Sequence, residues 1–219
     1  MKAANRAPLD EERIVQASLE LLESRGIDGF SIRKLGARLG VTPMSLYHYF
    51  DDRDAILRAV VDSVLLSVEI APRGRGSWQH AVRKLLRSLH EQLLPHVALL
   101  PLLSSAEHWS PALLRVGHVL FEIVEESGCS PGAAVKAHRI LMHHTFGSLM
   151  IVASDPDPGA ERRASLVLSD DSHPAEQRER LQSMFRLARE AADNPGRDFD
   201  VSLGALIAGL EHTILRKRR

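Results

Sequence analysis

A single cysteine, Cys129, is all the thiol in this chain of 219 residues, which excludes an intrachain disulfide and fits a reducing compartment. There is no secretory apolar segment and no apolar run near about eighteen residues, so a soluble, cytoplasmic protein without a membrane partner is expected. An excess of one charge is lacking too: 28 Lys and Arg face 28 Asp and Glu. A general polyanion binder would be basic overall, so any nucleic-acid binding here has to come from a local patch. No glycine-rich phosphate loop, no nucleophile in a recognisable setting and no paired carboxylates beside an inward His speak for an enzyme. The eleven histidines include no His-x-x-x-His pair. His143 and His144 point to different helix faces, and His90-Glu91 lacks the second His of a zinc-protease helix, so neither metal nor cofactor is expected. What the chain does have is a 44% hydrophobic content, enough for a real core in one large domain or two smaller ones.

The most informative stretch is SIRKLGARLGVTPMSLYHYFDDR, residues 31 to 53. Ser31 suits a helix N-cap, and Ile32, Leu35 and Leu39 recur at a spacing that buries one helical face. Gly40 stands where a helix ends in a left-handed turn. Thr42 can cap a second helix at once, Pro43 suits its first turn because its missing N–H would be unpaired there, and Leu46 and Phe50 face inward. Met44, Ser45, Tyr47, His48 and Tyr49 are left outside. Arg33, Lys34 and Arg38 lie on the same surface, with no acid between Asp28 and Asp51. Two short helices joined by a tight turn, one fit for a DNA groove, predict a helix-turn-helix whose partner is double-stranded DNA.

The rest reads as helix after helix. Residues 10 to 25 place Ile14, Ala17, Leu21 and Leu22 on one side, behind an acidic first turn. A fourth helix is expected from about Asp54 to Ile70, before the breaker Ala71 to Gly76. Trp78, Val82, Leu85, Leu86, Leu89 and Leu93 form the next stripe, closed by Pro95. Pro111 opens a helix to about Ser127, and Ser130-Pro131 opens another to about Ala153. Ser154 to His173 lacks periodicity and reads as a long surface loop. Two helices near 175 to 192 and 199 to 216 close the chain. The expected domains are 1–53, a connecting helix and linker over 54–76, and 77–219.

Two of these helices are over-supplied with apolar residues for one core, and a lone recognition helix reads few base pairs. A homodimer on a palindromic operator is therefore expected, with Leu141, Leu149, Leu203, Leu206, Ile207, Leu210 and Ile214 at its interface. Inward faces combining apolar bulk with a few polar handles nominate Leu89, Leu93, Leu103, Trp109, Phe121, Met142, His143 and Phe146 as the lining of a small-molecule site.

In order and register the chain resembles the TetR family of one-component repressors, with a ligand domain of the tetracycline-repressor type. Gly26 to Gly29, Arg33-Lys34-Leu35, Leu39-Gly40-Val41 and Leu46-Tyr47 carry the resemblance without a gap, Ser77-Trp78-Gln79 resembles the start of the first ligand-domain helix, and Leu206 to Glu211 the last helix. The resemblance implies an all-α protein: a three-helix helix-turn-helix domain, then a larger helical ligand-binding and dimerisation domain whose last two long hydrophobic helices form a four-helix bundle with the partner. It implies that Arg33 reads a guanine, that Tyr47 and Arg53 touch phosphate, and that Ser31, Lys34, Thr42, Pro43, Met44, Ser45, His48 and Tyr49 complete the DNA face. It also places Trp109 where ligand binding is coupled to the DNA heads. Tetracycline-binding members use a His after helix four and polar or aromatic residues on the next helix. This chain has no His between His48 and His80 and carries Leu85 and Leu89 at the helix positions, which implies a more apolar effector. A ligand-released repressor is the expected function; a helical-bundle enzyme or carrier, or a DNA-binding dimer without a ligand, are the alternatives.

Overall fold

A computed structural model describes residues 8–70, 76–104, 110–154, 174–192 and 195–215, and every regular element among them is helical. The order is α1 (Glu11–Gly29), α2 (Ile32–Leu39), α3 (Pro43–Leu46), α4 (Arg53–Leu65), α5 (Trp78–Leu93), a short tight helical stretch Leu94–Leu99, α6 (Leu100–Ser104), α7 (Pro111–Glu125), α8 (Pro131–Ser154), α9 (Ala175–Ala192) and α10 (Pro195–Leu210), which runs into a widened turn at Glu211–Leu215.

The helix starts follow from local chemistry. Asp10, Ser31, Thr42, Asp52 and Ser77 each turn a side-chain oxygen onto a backbone N–H of the first turn, meeting one of the donors that a helix start leaves unpaired. Ser110 and Ser130 do the same for Leu113 and Ala133, at 2.9 and 3.3 Å, with Pro111 and Pro131 at the first helical position. The fourth helix starts at Arg53 and stops at Leu65, five residues short of the expected Ile70. The last helix begins at Pro195, earlier than the expected 199. Proline at a helix start explains the second difference: apolar periodicity marks the buried face of α10 from Phe199 onward but says nothing of its polar first turn.

The chain forms two compact units, Met1–Val68 with Ala98–His118, and Glu69–Val97 with Val119–Arg219. In the first, α1 lies against α2 and α4, and Ile14, Leu22, Leu35, Leu46, Ile56, Leu57 and Leu65 are fully buried. In the second, α5, α8 and α10 pack on one another around Leu85, Leu86, Leu89, Leu141, Leu149, Phe199, Leu203 and Ile207. The first unit takes in residues 54–68 and 98–118 beside the expected helix-turn-helix stretch 1–53. Proximity in sequence does not settle which core a helix completes.

Within the second unit, the buried ring of Phe199 on α10 stacks on two imidazoles, His90 of α5 at 4.1 Å and His144 of α8 at 5.5 Å between ring centroids. His90 lies 3.4 Å from the Ser148 hydroxyl, and His144 lies 3.1 Å from that of Ser202. Burial holds the pKa of His90 below its ordinary value, with Asp200 pulling the other way and His144 adding repulsion. Burial lowers His144 as well. At the rim Arg87 grips Asp200 through two contacts of 2.7 Å.

Candidate nucleic-acid interface

The turn between α2 and α3 is built by two glycines. Gly40 ends α2 in the left-handed region, at φ 69°, as its sequence position predicts. Gly36 carries a constraint that periodicity does not reveal. It is buried, and a Cβ there would stand 2.9 Å from the carbonyl oxygen of Val41, a backbone atom of the turn itself. Only a minimal side chain lets the two helices cross this closely.

The second helix restarts as expected, with Thr42 accepting from the Ser45 N–H at 3.3 Å and Pro43 in the first turn. Its regular part is short, four residues, and continues as a turn in which the Phe50 N–H still reaches the Leu46 carbonyl at 3.1 Å. Leu46 is buried and Phe50 partly so, which fixes the roll of the segment. Rolled this way, it exposes Met44 (69%), Tyr47 (46%) and His48, with Ser45 half-buried, Thr42 and Pro43 exposed, and Ser31 half-buried at the α2 cap.

The charged residues divide into free and engaged. Arg33 is exposed and, among the described residues, makes no ion pair. Lys34 donates to the Gly29 carbonyl at 2.8 Å. Arg38 is ion-paired with Glu20 of α1, and that hydrogen bond, with a second from Gln16, holds the Glu20 carboxyl below the usual range. Arg53 lies over the buried ring of Phe30, 5.6 Å from guanidinium carbon to ring centroid, and 3.3 Å from Asp54. This stack orients Arg53 on the outer rim, and the Phe30 position is legible only once α1 and α4 are seen together. Tyr49 is 38% exposed, but its hydroxyl donates to the Leu9 carbonyl at 2.6 Å, so its proton is committed within the chain.

The expected small-molecule lining separates. Leu89 and Leu93 are fully buried on α5; Phe121, Met142 and Phe146 are partly buried, Phe121 edge-on to His138 at 6.5 Å. Leu103 sits half-buried in α6 of the first unit. Trp109 lies outside the described residues. His143 is exposed, and the inward imidazole is its neighbour His144; successive helix residues are turned by about 100°, so a shift of one position changes the face.

The expected interface residues differ in their exposure. Leu141, Leu149, Leu203, Ile207 and Leu210 are at most 3% exposed within one chain. Leu206 and Ile214 keep partial exposure. The apolar surface that α8 and α10 do present belongs to Val135, Met150, Ile151 and Val201, 48 to 72% exposed. Both helices are apolar on more than one stripe; packing inside the chain takes the heavier one and leaves the lighter one outside.

Comparison with known proteins matches this architecture. Residues 14–60 fit the family model of bacterial regulatory proteins of the tetR family, and residues 71–214 fit that of the tetracyclin repressor-like C-terminal domain. The chain is 25% identical over 206 residues to the class A tetracycline repressor from transposon 1721 of Escherichia coli, covering 92% of this chain and 90% of that one. It is 27% identical over 206 residues to the class C tetracycline repressor of Escherichia coli, covering 93% and 91%. Among solved structures, the Streptomyces coelicolor TetR family protein ActR in complex with actinorhodin superposes with a TM-score of 0.75 at 26% identity, covering 95% of this chain and 98% of that one. The chain belongs to the TetR family and is a ligand-responsive, DNA-binding transcriptional regulator. Proteins of this family bind DNA and small-molecule effectors and act as dimers. No helix among the described residues is long and apolar enough to cross a membrane.

Proposed function

We propose that this regulator is a repressor that holds a palindromic operator as a homodimer and releases it when a small apolar molecule occupies its ligand-binding domain. The observation that carries the DNA part is the recognition face itself: Arg33 stands exposed on α2, and Met44, Tyr47 and His48 on the following segment, whose roll is fixed by Leu46. Arg33 suits a bidentate contact to guanine, Tyr47 and Arg53 suit phosphate, and no acid stands in the sequence between Asp28 and Asp51. The lateral apolar surface of Val135, Met150, Ile151 and Val201 supports pairing of two copies, which would double the bases read. An apolar effector is supported by Leu85, Leu89 and Leu93, which are fully buried on α5 beside Ser88 and His90. The likeness to a regulator crystallised with actinorhodin and to tetracycline repressors supports an organic effector rather than an ion. The effector need only favour the DNA-incompetent state by its differential affinity.

The test is selection of duplexes from a random pool by the full-length protein, followed by release from the selected duplex by a panel of apolar polycyclic compounds. A palindrome should be enriched, and at least one compound should release it in a saturable way. Enrichment of a non-palindromic site would remove the two-fold reading, and compounds that stabilise the protein without releasing DNA would remove the repressor mechanism.

A further inference from the structure

The first turn of α7 is completed by a side chain from another helix. Pro111 has no N–H to satisfy, and the Leu114 N–H bonds the Ser110 carbonyl at 3.1 Å, which leaves the donors of Ala112 and Leu113 at this helix start. The fully buried Ser110 serves one of them, its hydroxyl accepting from the Leu113 N–H at 2.9 Å. The Ala112 N–H is met instead by the carboxylate of Asp62 on α4, at 3.0 Å and fifty residues away in sequence. Ala112 is itself buried, so water is a poor substitute for that oxygen, and a negative charge at a helix start also meets the positive end of the helix dipole.

α8 supplies the comparison within the molecule. It opens on the same Ser-Pro pair, and Ser130 accepts from the Ala133 N–H at 3.3 Å as Ser110 does from Leu113, but its second position, Gly132, is exposed to solvent. A local cap and water suffice for α8; α7 needs α4 in place. The two helices so joined have different duties. α4 follows the recognition segment directly and is buried along two stripes, through Ile56, Val60 and Val64 and through Leu57, Val61 and Leu65. α7 is one continuous helix that belongs to the first unit as far as His118 and to the second from Val119.

We propose that Asp62 is a positioning residue for operator binding: by capping α7 it ties the first turn of that helix to the α4 arrangement that holds DNA, so that opening this turn weakens the operator complex. The inference rests on the reading of the helix-turn-helix as the DNA-binding site and names a joint through which its affinity is regulated. Linkage makes the effect reciprocal. The factor by which operator tightens the Asp62 clasp is the factor by which loss of the clasp weakens operator binding.

The experiment uses the full-length protein and a duplex selected by the wild type, and no effector is required. Amide hydrogen exchange is followed at Ala112, Leu113 and Ala133, with and without the duplex, for wild type, Asp62→Asn and Asp62→Ala, beside operator affinity and the denaturant midpoint. In the wild type the duplex should slow Ala112 and Leu113 by at least about fivefold and change Ala133 little. In Asp62→Ala without DNA the first turn of α7 should exchange roughly fivefold faster, as for a lost cap. The duplex should no longer slow it, and operator affinity should fall by about the factor of slowing seen in the wild type. Asp62→Asn, of the same size and with one acceptor oxygen kept, should show the same changes in reduced measure. A purely structural Asp62 would lower the midpoint and speed exchange yet leave the slowing by duplex intact, and that outcome overturns the proposal. Slowing at Ala133 equal to that at Ala112, or none at Ala112 in a wild type that binds its duplex, would also overturn it and leave the helix-turn-helix reading standing. A wild type that selects no duplex would remove the DNA reading and the clasp together.

Discussion

Single residues divide the DNA face into readers and holders. Arg33 is exposed and makes no ion pair among the described residues, so on the proposed reading its guanidinium would meet a base edge without first breaking a contact. Arg33→Ala should cost roughly 1–3 kcal/mol of operator binding and relax preference at one base pair per half-site. Arg53, stacked on Phe30, is poised for the backbone instead, and Arg53→Ala should weaken all sequences about equally. Competition against a panel of single-base operator variants separates the two, and base discrimination lost through Arg53→Ala would exchange their roles. Gly36 is a holder of another kind. Gly36→Val would drive a branched side chain onto the Val41 carbonyl, and overpacking of this kind costs roughly 1–3 kcal/mol, read as a lower denaturant midpoint together with loss of DNA binding. An unchanged midpoint would mean that the turn opens without cost.

Elements are joined by groups that sequence spacing does not pair. Phe199 binds α10 to α5 and α8 through its two stacked imidazoles, and these make the larger unit sensitive to pH. A free histidine titrates near about pH 6.5, whereas His90 and His144 stay neutral to lower pH because burial penalises their charged form. Below about pH 6.5 the unfolded chain therefore takes up protons that the native one refuses. Stability is full above that pH and falls as the pH drops toward the native pKa values. The thermal midpoint should fall between about pH 7 and 5, and His90→Phe, which keeps a ring against Phe199, should fall less steeply. An equally steep decline in that variant would place the pH dependence elsewhere.

For the whole molecule, the question is which apolar surface a second copy covers. Leu210 is buried within its own chain, so Leu210→Asp would unfold α10 rather than separate two subunits. Ile151 is 72% exposed and Val201 68%, and a charge at either costs the isolated chain little. Ile151→Asp with Val201→Asp should give a folded monomer by light scattering with circular dichroism unchanged. It should bind a half-site weakly and a full palindrome no better. A dimer that survived both changes would put the interface on another face.

By itself the sequence determined the helical class, most of the helix starts, and the nature of the helix-turn-helix segment. Those depend on neighbours a few residues apart: a serine or aspartate capping a first turn, a glycine at 40 that alone relaxes into a left-handed turn, an apolar residue every three or four. Only the tertiary structure decided which of two apolar stripes on α8 and α10 faces the chain's own core, which of His143 and His144 turns inward, and which cations on the DNA face are already engaged. Each of those depends on partners far apart in sequence, Phe199 with His90, Arg38 with Glu20, Tyr49 with Leu9, and a helical period is equally satisfied by either face until another helix occupies one of them.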